Sequence, residues 1–453
     1  MKKKMYFWMI LLVLILGSMT GCKNQNTNKK TNTQGQVESD IKEEISVDVT
    51  SEPTPNDTSS ATEDETKTVK EDSDKEVGGI EVPVFTVESK DIDMNESLEF
   101  VKNMQVGWNL GNTFDASNDT NTSVDELSYE SMWSGTKTTQ EMITEIKAAG
   151  FQTIRIPVSW HNHVSGDNYT ISDVWMNRVQ EVIDYAVNED MYIIINIHHD
   201  ILEGYYYPTK EQFETSSKYI TSIWKQIAER FIEYDDHLIF EAINEPRMRG
   251  TNYEWWLDMN VDECKEAVDC INRLNQQFVD TVRATGGINA TRYLMVPGYC
   301  ASPEFALIDQ FVLPTDLETN INKIIVSVHA YTPYKFALQS QNESGSTDMF
   351  SIANKIGTGD IDYFMNRLYH KFISNGTPVV IGEFGARDKG GNVQDRTEYT
   401  AYYVASARAN GITCIWWDNN AFAGTGENFG LFKRQRLTWL YEVIKDALIQ
   451  YSK

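Results

Sequence analysis

Cysteine is scarce in this chain of 453 residues, with 5 in all, one of them Cys22 near the start. The others, Cys264, Cys270, Cys300 and Cys414, show neither the density of a disulfide scaffold nor the close pairing of a zinc site. Cys264 and Cys270 stand in a stretch of helical period and point about 120° apart, so the four are expected as buried free thiols. Basic charge is short as well: 40 Lys and Arg face 66 Asp and Glu, a formal net charge of -26. A surface of that sign repels a phosphate backbone, which excludes nucleic acid as a partner.

Long apolar runs are missing apart from Met5 to Leu16, which follows three lysines and ends in small residues. That run is too short to span a bilayer, which takes about 20 apolar residues, and reads as a secretion signal. Met19-Thr20-Gly21-Cys22 resembles a bacterial lipobox. Residues 1–21 are then a lipoprotein signal peptide and Cys22 the lipidated first residue of an extracellular, surface-anchored protein, touching membrane only through that anchor. Residues 23–95 lack aromatics except Phe85 and carry 18 Asp or Glu against 8 Lys. Such a segment buries too little apolar surface to fold, so 22–95 is expected as a disordered acidic linker.

What is present points to one large domain over residues 96–453. Hydrophobic residues make up 41% of the chain, with 22 Tyr, 19 Phe and 11 Trp. Short runs of strand character alternate with longer helical stretches. The predicted strands are Gln105–Leu110, Thr153–Val158, Tyr192–His198, Leu238–Ile243, Tyr293–Pro297, Ile324–Tyr331, Pro378–Phe384 and Ile412–Trp417. Helices are predicted at Thr139–Ala149, Asp173–Asn188, Ser217–Glu233, Asp262–Ala284, Asp360–Ser374 and Arg396–Asn410, with Asp173 and Asp360 as N-caps. Eight strand–helix units fit an α/β fold of the (β/α)8 TIM barrel type. An open doubly wound sheet would bring a Gly-rich phosphate turn, and Gly107-Trp108-Asn109-Leu110-Gly111-Asn112 lacks that spacing.

A barrel gathers the C-terminal ends of its strands at one rim. In this chain those ends are polar: Arg155, His198-His199-Asp200, Asn244-Glu245-Pro246, His329 with Tyr331, Glu383, and Trp416-Trp417-Asp418-Asn419. Period-two alternation puts Ile243 with Glu245, Ile381 with Glu383 and His329 with Tyr331, each pair on one strand face. Two carboxylates from strands four and seven across a barrel mouth suit glycosidic cleavage.

The chain resembles glycoside hydrolase family 5, over about residues 98–450. The motifs are Gly107-Trp108-Asn109-Leu110-Gly111-Asn112-Thr113, Thr153-Ile154-Arg155-Ile156-Pro157, Ile197-His198-His199, Ile243-Asn244-Glu245-Pro246, His329-Ala330-Tyr331, Ile381-Gly382-Glu383-Phe384-Gly385 and Trp416-Trp417-Asp418-Asn419. The resemblance implies Glu245 as acid/base and Glu383 as nucleophile of a retaining mechanism, with carboxylates about 5–5.5 Å apart. Arg155 and Tyr331 would keep Glu383 ionised and oriented. Glu245 would start protonated, in surroundings that raise its pKa, with His329 beside it. Asn244 would bond the sugar 2-hydroxyl and His198 line the same subsite. His198 and His199 should leave opposite strand faces, only one entering the cleft, His198 being favoured. One of Trp416 and Trp417, with Trp417 favoured, would stack on the sugar.

The strings around Trp160 and His329 resemble clostridial and rumen endoglucanases, which implies an endo-β-1,4-glucanase acting on cellulose-like polymers. Xyloglucanase, xylanase and mannanase are the alternatives within the family. A noncatalytic polysaccharide-binding lipoprotein, and a metallohydrolase using His198, His199 and Asp200, are the alternatives outside it. No cofactor or metal is expected, the partner is a polysaccharide, and the protein is expected as a monomer. Trp133, Trp160, Trp175, Tyr205, Tyr206, Tyr207, Trp255, Trp256, Tyr334 and Phe422 fall in or beside the loops that would flank the cleft, and three or four of them are expected to touch sugar.

Overall fold

The computed structural model describes residues 79–119, 125–424 and 426–453. The signal at 1–21, Cys22 and the linker as far as residue 78 lie outside these residues. Eight parallel strands close into a barrel in sequence order, the first pairing with both the second and the eighth. They are Gly107–Leu110, Thr153–Ile156, Tyr192–Asn196, Leu238–Glu241, Leu294–Pro297, Ile324–His329, Val379–Phe384 and Thr413–Asp418. All eight lie at the predicted places, but strands two, three, four and six stop two residues short of expectation, so His198, Asn244, Glu245 and Tyr331 stand in loops beyond the ladder. Among the described residues no helix is long and apolar enough to cross a membrane.

The outer helices follow from apolar residues at three- and four-residue spacing. In Asp262–Ala284 the buried stripe runs Cys264, Ala267, Val268, Ile271, Leu274, Phe278 and Val282. Cys264, Cys270, Cys300 and Cys414 are free and buried. Asp173–Asn188 has the predicted bounds, although its N-cap is Ser172, whose side chain accepts from Val174 N; Asp173 sits in the first turn, where the helix dipole favours it. The helix expected at Ser217–Glu233 runs instead over Phe213–Arg230. That expected at Asp360–Ser374 runs over Thr358–Lys371, with Gly357 rather than Asp360 at its N-cap.

The barrel interior is built in layers. At the bottom, Ile194, Ile239, Met295, Ile325, Val380 and Ile415 from six strands form an apolar floor with Tyr293, and Val101 and Met104 of the helix Glu96–Met104 plug it from below. Gly107 sits where the first strand passes this layer: a Cβ there would lie 3.0 Å from both Ile415 Cγ2 and Thr153 Cβ, so close approach requires glycine.

The expected linker boundary at residue 95 is too late. Residues 80–95 form no helix or strand, but Ile80 and Ile92 pack against the core of the barrel. Lys90 N donates to Ala409 O at 2.8 Å, and the Phe85 ring stacks on Tyr451 with centres 4.7 Å apart. Asn95 caps the first helix through Leu98 N and donates to Gly376 O at 2.8 Å. Ile92 seats beside Gly411, whose φ of 74° and whose Cβ position, 2.6 Å from Ile92 Cδ1, both demand glycine. Composition averaged over the acidic stretch hid a local cluster of apolar residues, Ile80, Val82, Phe85 and Val87, all partly buried, although Val84 between them is 92% exposed.

Candidate active site

Above the floor the inward positions turn polar at period two: Ile194 gives way to Asn196, Ile239 to Glu241, and Ile325 to Ser327 and His329. Arg155, fully buried on strand two, is the hub. Its Nε donates to Glu241 Oε2 at 2.8 Å and its Nη1 to Asn109 Oδ1 at 3.0 Å and Glu383 Oε1 at 2.8 Å. Its Nη2 donates to Asn244 Oδ1 at 2.7 Å and approaches His329 Nε2 at 3.4 Å. Glu241 accepts further bonds from Ser327 Oγ at 2.6 Å and Asn196 Nδ2 at 3.0 Å. A buried carboxylate and guanidinium thus each satisfy their hydrogen-bonding capacity, which is what makes such a pair tolerable away from water.

Glu383 reaches the cleft through a bulge. Val328 pairs with Ile381 but His329 pairs with Glu383, so the register shifts across Gly382. Ile381 therefore packs in the shell between barrel and helices while Glu383 turns inward, contrary to the shared face expected from strict alternation. Tyr331 Oη donates to Glu383 Oε2 at 2.9 Å, so both carboxylate oxygens are held. Likewise Ile243 belongs to the outer shell rather than the face of Glu245. Strand four has ended at Glu241, and both Asn244 and Glu245 bend into the site.

Glu245 Oε1 lies 2.9 Å from His329 Nδ1, and Glu245 Oε2 lies 3.5 Å from Arg247 Nη1. One oxygen each of Glu245 and Glu383 and a ring nitrogen of His329 all fall within 4.8 Å of one another. Burial pushes the Glu245 carboxyl up, but the hydrogen bond and charge of His329, followed by the charges of Arg247 and His199, outweigh it and hold the group at about 2. His329 moves the other way: burial disfavours its charge, yet Glu383 and the bond to Glu245 raise it above its ordinary value. The two groups share one proton. The expectation of surroundings that raise Glu245 is thus corrected, because the cation-bearing neighbours outweigh burial.

His198 and His199 both sit at the cleft, ring centres 4.4 Å apart, because strand three ends at Asn196 and alternation no longer separates them. Burial, with neighbouring cations, holds His198 well below the usual histidine range and His199 at about 4, so both are neutral hydrogen-bonding groups at neutral pH. His198 lies parallel to Trp417, with centres 5.9 Å apart and planes at 1°. Trp416 does not reach the cleft: it is fully buried, donates Nε1 to Phe429 O at 3.1 Å and packs edge-on to Phe384. Asp200 does not join the histidines either. Its Oδ1 accepts from Trp160 N, His161 N and the Tyr219 hydroxyl, a loop-pinning role, and Asp115 takes the place beside His198 and His199.

Of the loop aromatics, Trp160, Trp175 and Tyr206 are buried packing residues, while Trp133, Trp255, Trp256 and Tyr334 are exposed. Trp133 leans on the His199 ring at 5.7 Å. Sequence reasoning missed Asn109, Asn196, Glu241, Ser327 and Arg247. Glu241 carried a signal: it stands two residues beyond Ile239, and a carboxylate inside a barrel requires a buried cation such as Arg155.

The match to known proteins agrees with this geometry. Residues 114–423 match the family model described as Cellulase (glycosyl hydrolase family 5). A GH5 lichenase from Caldicellulosiruptor sp. F32, solved with cellotetraose, is 59% identical with a TM-score of 0.82, covering 83% of this chain and 100% of that one. Endoglucanase A of Clostridium longisporum is 41% identical, covering 80% of this chain and 66% of the relative. Endoglucanase B of Ruminococcus albus is 40% identical, covering 82% of this chain and 85% of the relative. With the closed eightfold barrel and the paired carboxylates at its mouth, these likenesses place the chain in glycosyl hydrolase family 5, the cellulase family.

Proposed function

We propose that the protein is a retaining endo-β-1,4-glucanase that cleaves cellulose-like and mixed-linkage β-glucans by double displacement. The observation that carries the mechanism is the approach of Glu245 and Glu383, one oxygen of each lying within 4.8 Å of the other, in keeping with the about 5–5.5 Å carboxyl separation of retaining glycosidases rather than the about 6.5–9.5 Å of inverting ones. Glu383, aimed by Arg155 and Tyr331, attacks the anomeric carbon as the glycosidic bond breaks. Glu245 gives its proton to the departing oxygen. In the second step Glu245 takes a proton from water, the water oxygen bonds the same carbon from the vacated side, and Glu383 leaves. Retention follows from two inversions. The proton needed by Glu245 is held by the Glu245–His329 pair: moving it from Nδ1 to Oε1 neutralises both groups without changing their summed charge. Trp417 offers its face, and Asn244 and His198 their polar atoms, to the sugar at the cleavage point.

Hydrolysis of lichenan and carboxymethylcellulose by residues 79–453, with NMR of the first-formed anomer, tests this reading. Activity lost in both Glu245→Gln and Glu383→Gln, with a retained anomer in the parent, is the expected result; an inverted first product sinks the double displacement.

The finer assignment extends to location. The protein acts as a monomer outside the cell, tethered by lipid at Cys22. The lipobox-like Met19-Thr20-Gly21-Cys22 supports this, and retention of a Cys22→Ser variant in the membrane fraction would contradict it.

A further inference from the structure

No side chain of strand five, Leu294–Pro297, enters the site described above. The turn that follows it, Tyr299-Cys300-Ala301, is nevertheless buried and strained, with φ of 55° at Cys300 and 49° at Ala301. Two successive left-handed residues that carry a Cβ are costly, and such backbone persists only where surrounding contacts over-determine it. Here the turn is tied to the loop after strand four. Cys300 N donates to Pro246 O at 2.9 Å, and Met248 N donates to the Tyr299 hydroxyl at 2.8 Å. The same hydroxyl donates to Tyr253 O at 2.7 Å, and Cys300 Sγ donates to Glu254 O at 3.1 Å.

Pro246 and Met248 flank Arg247, so the turn pins that residue on both sides. The guanidinium is thereby aimed back at the acid/base. Its Nη1 donates to the Glu245 carbonyl at 3.0 Å and lies 3.5 Å from Glu245 Oε2, while its Nε donates to Glu254 Oε1 at 3.2 Å. With Oε2 taken by Arg247, Oε1 is the oxygen that meets His329 Nδ1 at 2.9 Å, on the side of Glu383. On the reading of Glu245 as acid, on which this inference rests, the proton leaves from Oε1, and its transfer needs a heavy-atom reach of about 2.6–3.2 Å. We propose that Tyr299 is a positioning residue for the acid/base: its hydroxyl, with the left-handed turn it begins, fixes Arg247, and Arg247 fixes which oxygen of Glu245 faces the glycosidic bond. Strand five thus serves the chemistry through the loop it braces rather than through a group in the cleft.

Leaving groups separate the aim of an acid from general damage. 2,4-Dinitrophenolate departs without a proton, whereas phenolate is helped by one, so of the two aryl β-cellobiosides only the phenyl compound senses Glu245 as acid. Both place the same sugar against Glu383, and kcat/KM reports the step that forms its adduct. The ratio of kcat/KM on the phenyl to that on the dinitrophenyl glycoside is also independent of how much of a variant has folded. In the whole chain, Tyr299→Phe leaves the buried Met248 N without its acceptor. It is expected to lower the ratio about tenfold, a part of the roughly 10²–10⁴ that general acid–base catalysis supplies. Arg247→Met should lower it at least as much, and adding Tyr299→Phe to Arg247→Met should lower it no further. An unchanged ratio in Tyr299→Phe, whether or not both rates fall, overturns the positioning role. A double variant whose loss is the product of the two single losses overturns the route through Arg247. The parent's ratio in Glu245→Gln overturns the reading of Glu245 as acid, which is a separate outcome.

Discussion

Replacing Arg155 with Met isolates the central demand of the site. The side chains of Arg155 and Glu241 are 0% exposed and that of Glu383 7%, so the substitution deprives two buried carboxylates of the guanidinium that bonds both. Removing one partner from a buried ion pair costs about 3–5 kcal/mol, chiefly through the charge left uncompensated. With an unfolding entropy of roughly 2 cal/mol/K per residue over about 370 residues, that loss lowers Tm by about 4–6 °C. The double variant Arg155→Met with Glu241→Gln tells stability from catalysis. A neutral amide at 241 still accepts from Ser327 or Asn196, so at least half of the lost Tm should return. Activity should not return, because Glu383 Oε1 has lost the donor that aims it; a fall of roughly 100-fold or more is expected from losing one preorganised charged donor. Scanning calorimetry and release of nitrophenol read the two quantities independently. A single variant melting within about 1 °C of the parent, or a double variant less stable than the single, would falsify the account of Arg155 as the cation that two carboxylates require.

Two further outcomes follow from the same contacts. Glu245 is held far below its usual value of 4.5, so its contribution is present above 4.5 and fades as pH falls toward about 2. His329 is raised above 6.5, so its contribution is present below 6.5 and fades as pH climbs through its folded-state value. The Tm difference between the parent and His329→Gln should therefore be largest between pH 4.5 and 6.5; a difference that is the same at pH 5.5 and pH 9 contradicts the shared proton. Truncation to residue 79 should leave Tm unchanged and truncation to residue 96 should lower it measurably, because Phe85 and Ile92 are packed; equal melting of the two proteins would show that the segment 80–95 adds nothing to the fold.

The strands were legible because a parallel barrel buries both strand faces, and runs such as Ile193-Ile194-Ile195 have little other use. The paired glutamates were legible because each stands in a short motif at a strand end. Less visible was the path each side chain takes to the cleft. Alternation holds only while a strand lasts, and it had lapsed at Asn196 and Glu241 before His198, His199, Asn244 and Glu245 were reached. At Glu383 a bulge shifted it, and the sole hint was Gly382, where a Cβ would come 3.1 Å from His329 Nε2. The protonation of Glu245 was misjudged for a related reason: burial can be guessed from sequence, whereas Arg247 reaching Oε2 depends on how the chain turns after Pro246. The start of the helix at Phe213 was hidden because Gln212 makes no side-chain cap.

The segment 80–95 meets the far end of the chain. Phe85 stacks on Tyr451, and the Tyr451 hydroxyl donates to Pro83 O, so the entry and the exit of the catalytic unit touch each other. A unit whose ends adjoin can be spliced into a loop of another protein, or joined head to tail and reopened elsewhere, without stretching any strand. The join would lie beside the helices Val393–Ala409 and Glu442–Ser452, to which the segment is bonded through Ala409 and Tyr451, while Glu383 sits on strand seven and Glu245 in the loop after strand four. Modular reuse of this barrel therefore needs no redesign of its chemistry.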